Sequence, residues 1–325
     1  MTPTLPPLPR ERFASLPTPL RPAPRLSAAI GVEVWFKRDD LTGFGLGGNK
    51  VRALEYLLGE AAAMGFDCLV TGGGPQSNWT ALAALAARCR DLDAYLVFYG
   101  DPQPVSGNLL LARQAEATVR FTRDRDRASA DREVAALAGE LEAAGRRPYL
   151  LPRGGATPLG AVGYVAACLE LAEQLSAEEL EPAQLWLATG SCGTQAGLLA
   201  GAGWLGLRFE VVGVTVSRPV DECLRLVAEL AEGAASLLGI KPPAYADGGP
   251  TVLGGHLGPG YGLPSPAGDH AATLVAHTEG VFLDPVFGAK AMAALLAAAR
   301  SGPIPGPVVF LVTGGAPTLF SRAAP

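Results

Sequence analysis

An α/β protein of open, twisted, mostly parallel sheets flanked by helices is predicted by three observations. Short apolar runs ending in glycine or a turn alternate with longer Ala/Leu-rich stretches at helical spacing. Such alternation is met by parallel strands joined through right-handed crossovers. Glycines collect after Thr71, Ala188 and Val312, where expected strands end, and ligands of parallel sheets sit at the carboxyl ends of strands. A chain of 325 residues, 49% hydrophobic, also has core enough for two domains or one large one.

In chain order, "VEVWFK" (33–38) reads as the first strand, and the helix at 50–64 follows a glycine run. "CLVTG" (68–72) leads into a helix at 77–88, and "AYLVFY" (94–99) into one at 107–116. "VRFT" (119–122) precedes the most highly charged stretch, whose helix at 128–145 is expected on the outside. "YLLP" (149–152) runs into a helix at 159–174 through "PRGGATPLGAVGYV" (152–165), expected to cross between two domains. "LWLATG" (185–190) pairs with a helix at 194–203, and "VVGVTV" (211–216) with one at 219–238. A helix at 267–277, a strand "VFLD" (281–284), a helix at 288–300 and a strand "VVFLVTG" (308–314) complete the expectation.

A net charge of −5 argues against a dedicated nucleic-acid surface. The basic run "RFTRDRDR" (120–127) is interleaved with aspartates and reads as a solvated loop. Five cysteines without CxxC spacing suggest a reduced, cytoplasmic protein. The opening "MTPTLPPLPRERF" lacks the apolar core of a secretory signal, and no apolar run reaches the roughly 20 residues that span a bilayer. The histidines His256, His270 and His277 have no ligand spacing, so no metal is assigned.

Chemistry enters at "GFGLGGNK" (43–50), where four glycines crowd into six residues ahead of Lys50. Only four of the 26 basic residues are lysine: Lys37, Lys50, Lys241 and Lys290. A chain that otherwise uses arginine wants an amine at some of these, because a desolvated lysine can become a nucleophile and arginine cannot. Gly43, Gly45 and Gly48 spell G-x-G-x-x-G, but Asp67 lies at the start of the next strand rather than at its carboxyl end, so the dinucleotide reading fails. Asn49 and Val51 likewise break a triphosphate-binding P-loop.

Three further loops matter. "ATGSCGTQAG" (188–197) joins a strand to a helix through small residues, with Ser191 and Thr194 as hydroxyl donors, and fits one phosphate at a helix N-terminus. It also reads as a tight turn with a capping threonine. "TGGGPQSNWTALA" (71–83) puts Ser77 and Asn78 at a helix start that could hold a carboxylate, or where Ser77 simply caps the helix. "LVTGGAPTLF" (311–320) brings Thr313 to a third strand end. Together, an isolated lysine, a monophosphate nest, a carboxylate site and a hydroxyl near a ring nitrogen are what pyridoxal phosphate chemistry requires.

The segments "KRDDLTGFGLGGNKVRALEYLL", "GGGPQSN", "GGATPLGAVGYV", "GSCGTQAGLLAG", "GPGYGLP", "LDPVFGAKAM" and "VTGGAPTLF" resemble, in order, motifs of the 1-aminocyclopropane-1-carboxylate deaminase / D-cysteine desulfhydrase family. The resemblance spans residues 35–320 and implies a tryptophan-synthase-β-like, fold-type II pyridoxal phosphate enzyme, with two sheets and the cofactor, pyridoxal 5'-phosphate, between domains. The large cofactor-binding domain is expected at 1–50 and 160–325, and the small substrate-side domain at 51–159. By this resemblance Lys50 is the Schiff-base lysine and Asn49 a cofactor contact. Ser77 and Tyr261 are catalytic, and Asn78 lies near the cofactor's 3-hydroxyl. Gly190, Ser191, Cys192, Gly193 and Thr194 form the phosphate loop, and Thr313 faces the pyridine nitrogen region. Ser77, Asn78, Trp79, Tyr261 and Phe287 line the substrate side.

Three positions depart from the family pattern. Phe287 stands where a second active-site tyrosine is usual, Gly288 where deaminases carry glutamate, and Trp79 where desulfhydrases read histidine. Thr313 is the residue of desulfhydrase-like members, where deaminases have leucine. The implied activity is β-elimination from a small amino acid to a 2-oxo acid and ammonia, with Lys50 as base on Cα. The alternatives are the cyclopropane-opening deaminase, a different small amino-acid substrate, or a non-catalytic pyridoxal phosphate or amino-acid binding protein. A homodimer acting on a small molecule, with no nucleic-acid or membrane partner, is expected.

Overall fold

The computed structural model describes residues 3–245 and 248–321. In chain order its elements are β1 (Leu20–Pro22), α1 (Pro24–Ile30), β2 (Val34–Lys37), α2 (Lys50–Met64), β3 (Cys68–Gly73), α3 (Asn78–Arg88), β4 (Asp93–Phe98) and α4 (Gly107–Gln114). There follow β5 (Thr118–Phe121), α5 (Ala128–Ala143), β6 (Pro148–Leu150), α6 (Pro158–Ala177), β7 (Gln184–Thr189), α7 (Gly193–Leu205), β8 (Glu210–Thr215) and α8 (Val220–Leu238). The last are β9 (Thr251–Leu253), α9 (Pro266–Glu279), α10 (Gly288–Ser301) and β10 (Val308–Leu311).

The strands form two sheets, as expected. One has the order β1-β2-β10-β7-β8-β9 and is parallel except for β1, which runs antiparallel to β2; the other, β5-β4-β3-β6, is wholly parallel. Helices cover these sheets. The central strands β3, β7 and β10 are almost wholly buried, which is why they read as continuous apolar runs rather than alternating ones.

The expected segment 281–284 is not a strand. Asp284, buried at 2% exposure, accepts the backbone N–H groups of Val286, Phe287 and Gly288 at 3.0, 2.9 and 2.7 Å. These are donors that a helix start leaves without backbone partners, so the segment serves as the entry to α10 instead of pairing in a sheet. Three elements went unanticipated: α1, β1 and β9. Both strands have three residues, too short for a periodic signal.

A buried ion network ties the N-terminal segment and β2 to α2 and α6. Arg52, 2% exposed, donates Nε and Nη2 to the two oxygens of Asp39 at 2.8 Å each, and Nη1 and Nη2 to Glu170 at 3.1 and 2.9 Å. Tyr164 donates to the same Asp39, Lys37 to Glu170, and Thr18 to both carboxylates. The Arg52 guanidinium outweighs burial and holds Asp39 at about 2. The approach to α2 is fixed by close packing of the backbone: Gly47 has φ +73°, and a Cβ there would lie 2.0 Å from the Asp40 carbonyl oxygen. Lys50, the first residue of α2, therefore emerges from a frame fixed on both sides.

Candidate active site

A cavity opens where β3, β7 and β10 end, between the two sheets. Lys50 lies in its wall, with Nζ donating to Ser191 Oγ at 3.0 Å and to the Gly154 carbonyl at 3.4 Å. Burial lowers its ammonium to about 8, with Cys192 acting weakly the other way. Gly154 makes this approach possible: at φ +78° its missing Cβ would fall 2.4 Å from Ser191 Cβ. The other lysines are accounted for elsewhere. Lys37 belongs to the buried ion network, Lys290 donates to the carbonyls of Leu257 and Gly260, and Lys241 is exposed.

The loop expected to hold the phosphate runs from the end of β7 into α7. Cys192 takes a left-handed φ of +73°, uncommon for a residue with a side chain and characteristic of strained functional turns. The first N–H groups of α7 have no partner within the helix and carry its positive end. Asn49 Nδ2 donates to Thr194 Oγ1 at 3.0 Å, so the threonine O–H remains to donate to a ligand. Gly190, Ser191, Cys192 and Thr194 line the cavity; Gly193 opens the helix beneath them.

Ser77 caps α3, its Oγ accepting the Thr80 N–H at 3.4 Å, and it also lines the cavity, so the capping and site readings hold together. Asn108 Nδ2 donates to Asn78 Oδ1 at 2.6 Å and so orients that amide. Trp79 reaches the cavity wall, but its one polar atom is committed: Nε1 donates to Thr71 Oγ1 at 2.9 Å. It offers the cavity an aromatic surface, not a hydrogen bond. Tyr261 and Phe287 meet edge to face, with centroids 6.2 Å apart, and burial raises the Tyr261 hydroxyl to about 12. That tyrosine is carried on the loop which Lys290 fastens to α10. Thr313, 7% exposed, borders the same space, and its carbonyl accepts the Asn49 N–H at 3.0 Å.

Sequence reading missed Arg127, Arg153, Tyr99, Ser217 and Arg218, all of which line this cavity. Arg127 lies inside the run that reads as a solvated loop. Its guanidinium carbon sits 4.2 Å from the centroid of the Tyr261 ring.

One monophosphate nest and one amine of lowered pKa in a single cavity suit a phosphorylated aldehyde. The model of the pyridoxal-phosphate dependent enzyme family matches residues 12–314. The chain belongs to that family. This pyridoxal-phosphate dependent enzyme is 38% identical to D-cysteine desulfhydrase of Salmonella typhimurium over 319 residues, 96% of each chain. It also resembles the crystal structure of an ACC deaminase homologue, with 36% identity, a TM-score of 0.90, and coverage of 96% of this chain and 94% of the other. A T.th. threonine deaminase, at 23% identity and a TM-score of 0.65, shares the fold over 95% of this chain and 94% of its own. The resemblance read from the seven motifs is thereby borne out, as is the cofactor. No described helix of this enzyme is long and apolar enough to cross a membrane.

The lowered pKa gives a pH dependence for loading. Below about 8 the Lys50 amine is mostly protonated and cannot attack a carbonyl; above it the free amine predominates. The rate at which apoenzyme captures pyridoxal 5'-phosphate at fixed concentration is expected to climb up to about pH 8 and then level off. A stopped-flow pH series checks this, and a rise continuing far into the alkaline range would mean an ordinary lysine.

Proposed function

We propose that this enzyme is a lyase that expels a β-leaving group from a small amino acid, as D-cysteine desulfhydrase-like members do, giving a 2-oxo acid and ammonia. The observation that carries the reading is the placement of Lys50: its amine stands 3.0 Å from Ser191 of the phosphate nest and borders the same cavity as Ser77, Asn78 and Tyr261. Bound pyridoxal phosphate supplies the electron sink for the substrate's Cα. Lys50 would hold it through its amine and would take the Cα proton of the substrate. Thr194, Asn49 and the start of α7 would hold the phosphate, and Thr313 would serve the ring-nitrogen side. The start of α3 with Ser77 would orient the substrate carboxylate, and Asn78 would serve the cofactor's 3-hydroxyl. Tyr261, with its hydroxyl raised to about 12, stays protonated at neutral pH and acts as a hydrogen-bond donor.

The small substrate-side domain (51–159) would carry Ser77 and Trp79, and the large one (1–50 and 160–325) the phosphate loop. The two sheets support this division, since strands β3–β6 form one and the remaining strands the other. A homodimer in the cytoplasm completes the reading; all five cysteines are free, in keeping with a reducing compartment.

Phe287 and Gly288 favour elimination over ring opening, since neither supplies a hydroxyl or carboxylate for a proton. Wild-type protein is expected to release 2-oxo acid from D-cysteine or β-chloro-D-alanine but not from 1-aminocyclopropane-1-carboxylate. Phe287→Tyr adds a hydroxyl beside Tyr261 and is expected to raise elimination about two- to tenfold, the worth of one net hydrogen bond. Efficient ring opening by the wild type in the same assay would overturn the assignment.

A further inference from the structure

The run "RFTRDRDR" does not behave uniformly. Arg120 pairs with Glu133 and Glu140 on α5, and its aspartates Asp124 and Asp126 pair with Arg132. Arg127 turns the other way, into the cavity. Its Nη1 donates to the Ser217 carbonyl at 3.0 Å and its guanidinium carbon lies over the Tyr261 ring. Its Nε is buried with no hydrogen-bond partner among the described residues.

The other two cavity arginines are neutralised. Arg153 makes a two-pronged pair with Asp131 at 2.8 and 2.7 Å, and Arg218 pairs with Glu222. No ion pair to Arg127 occurs among the described residues. A guanidinium is a rigid fork suited to carboxylate, sulfonate or phosphate oxygens, and a buried N–H without an acceptor is a cost that a fitting ligand removes. On the lyase reading the cofactor phosphate is served by the α7 start and the substrate carboxylate by the α3 start, both of which line the same cavity. Arg127 faces Tyr261 on the substrate side, leaving one positive charge that neither group uses.

We propose that Arg127 reads a second negative charge on the substrate, so that the preferred substrate is an amino acid bearing an anionic oxyacid group beyond Cβ. This rests on the lyase reading above and narrows its substrate class.

The test compares both handednesses on holoenzyme: cysteine and serine against cysteate and O-phosphoserine, from which sulfite and phosphate can leave, with aspartate and cysteine sulfinate used for binding alone. Binding is followed by the change in the cofactor's visible spectrum and turnover by 2-oxo acid release. At least one anionic member is expected to be preferred over its neutral partner, and Arg127→Met to shrink that preference by about ten- to a hundredfold, the share of a charge-assisted hydrogen bond. Arg127→Lys, which keeps the charge and loses the fork, is expected to restore part of it. The cofactor's dissociation constant should not move.

Preference of the wild type for neutral substrates would overturn the inference without any variant. So would equal losses on both substrate types, which would place Arg127 at the common carboxylate, or a weakened hold on the cofactor. If no amino acid perturbed the spectrum, the lyase reading itself would fall; response to neutral amino acids alone sinks only the second charge.

Discussion

Lys50→Ala is expected to lose at least about 10⁴-fold in turnover while the protein still folds, because on the proposed reading it removes both the covalent anchor and a general base, whose share alone reaches roughly 10⁴. Folding should survive because Lys50 is the first residue of α2 and its amine meets only the Ser191 hydroxyl and Gly154 carbonyl among the described residues. The buried positions of α2 begin one residue later, at Val51. Borohydride reduction of the wild type followed by peptide mass spectrometry should place the cofactor on Lys50. Label on Lys37, Lys241 or Lys290 would refute the assignment, and circular dichroism of the variant checks the fold.

Asp39→Asn or Arg52→Met is expected to cost about 3–5 kcal/mol of stability, because each strands the opposite charge in a buried site. Arg52 alone joins Asp39, Glu170 and Thr18, and Asp39 is fully buried. Urea unfolding of the apoenzyme measures the loss. The double variant should lose less than the sum of the two, since neither charge is then left behind. Asp39 also sets an acid limit. Its carboxyl is depressed to about 2 in the folded chain, so the stability it contributes is complete above the ordinary carboxylate range and disappears as pH falls toward 2. Wild type and Asp39→Asn should therefore converge in stability at low pH.

What the sequence reveals follows from how far each signal reaches. Helical periodicity gives α2 its bounds of 50–64 outright, since most of its residues are buried and a left-handed Gly65 ends it. Lys50 stands out because lysine is scarce. The α7 loop is legible because a strand, small residues and a helix follow one another within a short stretch. Arg127 is not, because its neighbours alternate charge and only the fold turns it inward against Tyr261. The run 281–284 misleads for a related reason: its apolar residues fit a strand, while the Asp284 carboxylate engages three consecutive N–H groups, a choice made by tertiary position. Trp79 is legible as a cavity residue, but its indole bond to Thr71 depends on a neighbouring strand.

The fate of the lysines has a practical side. Three of the four are engaged inside the fold, by the ion network, the Ser191 hydroxyl and the carbonyls of the Tyr261 loop, and Lys241 alone is exposed. Arginine carries the rest of the positive surface and is inert to acylating reagents at neutral pH. Amine-directed coupling to a bead, a dye or an electrode therefore addresses one side chain of the folded holoenzyme. Attachment through that side chain, with the α-amine at the chain start blocked beforehand, yields molecules that share a single orientation.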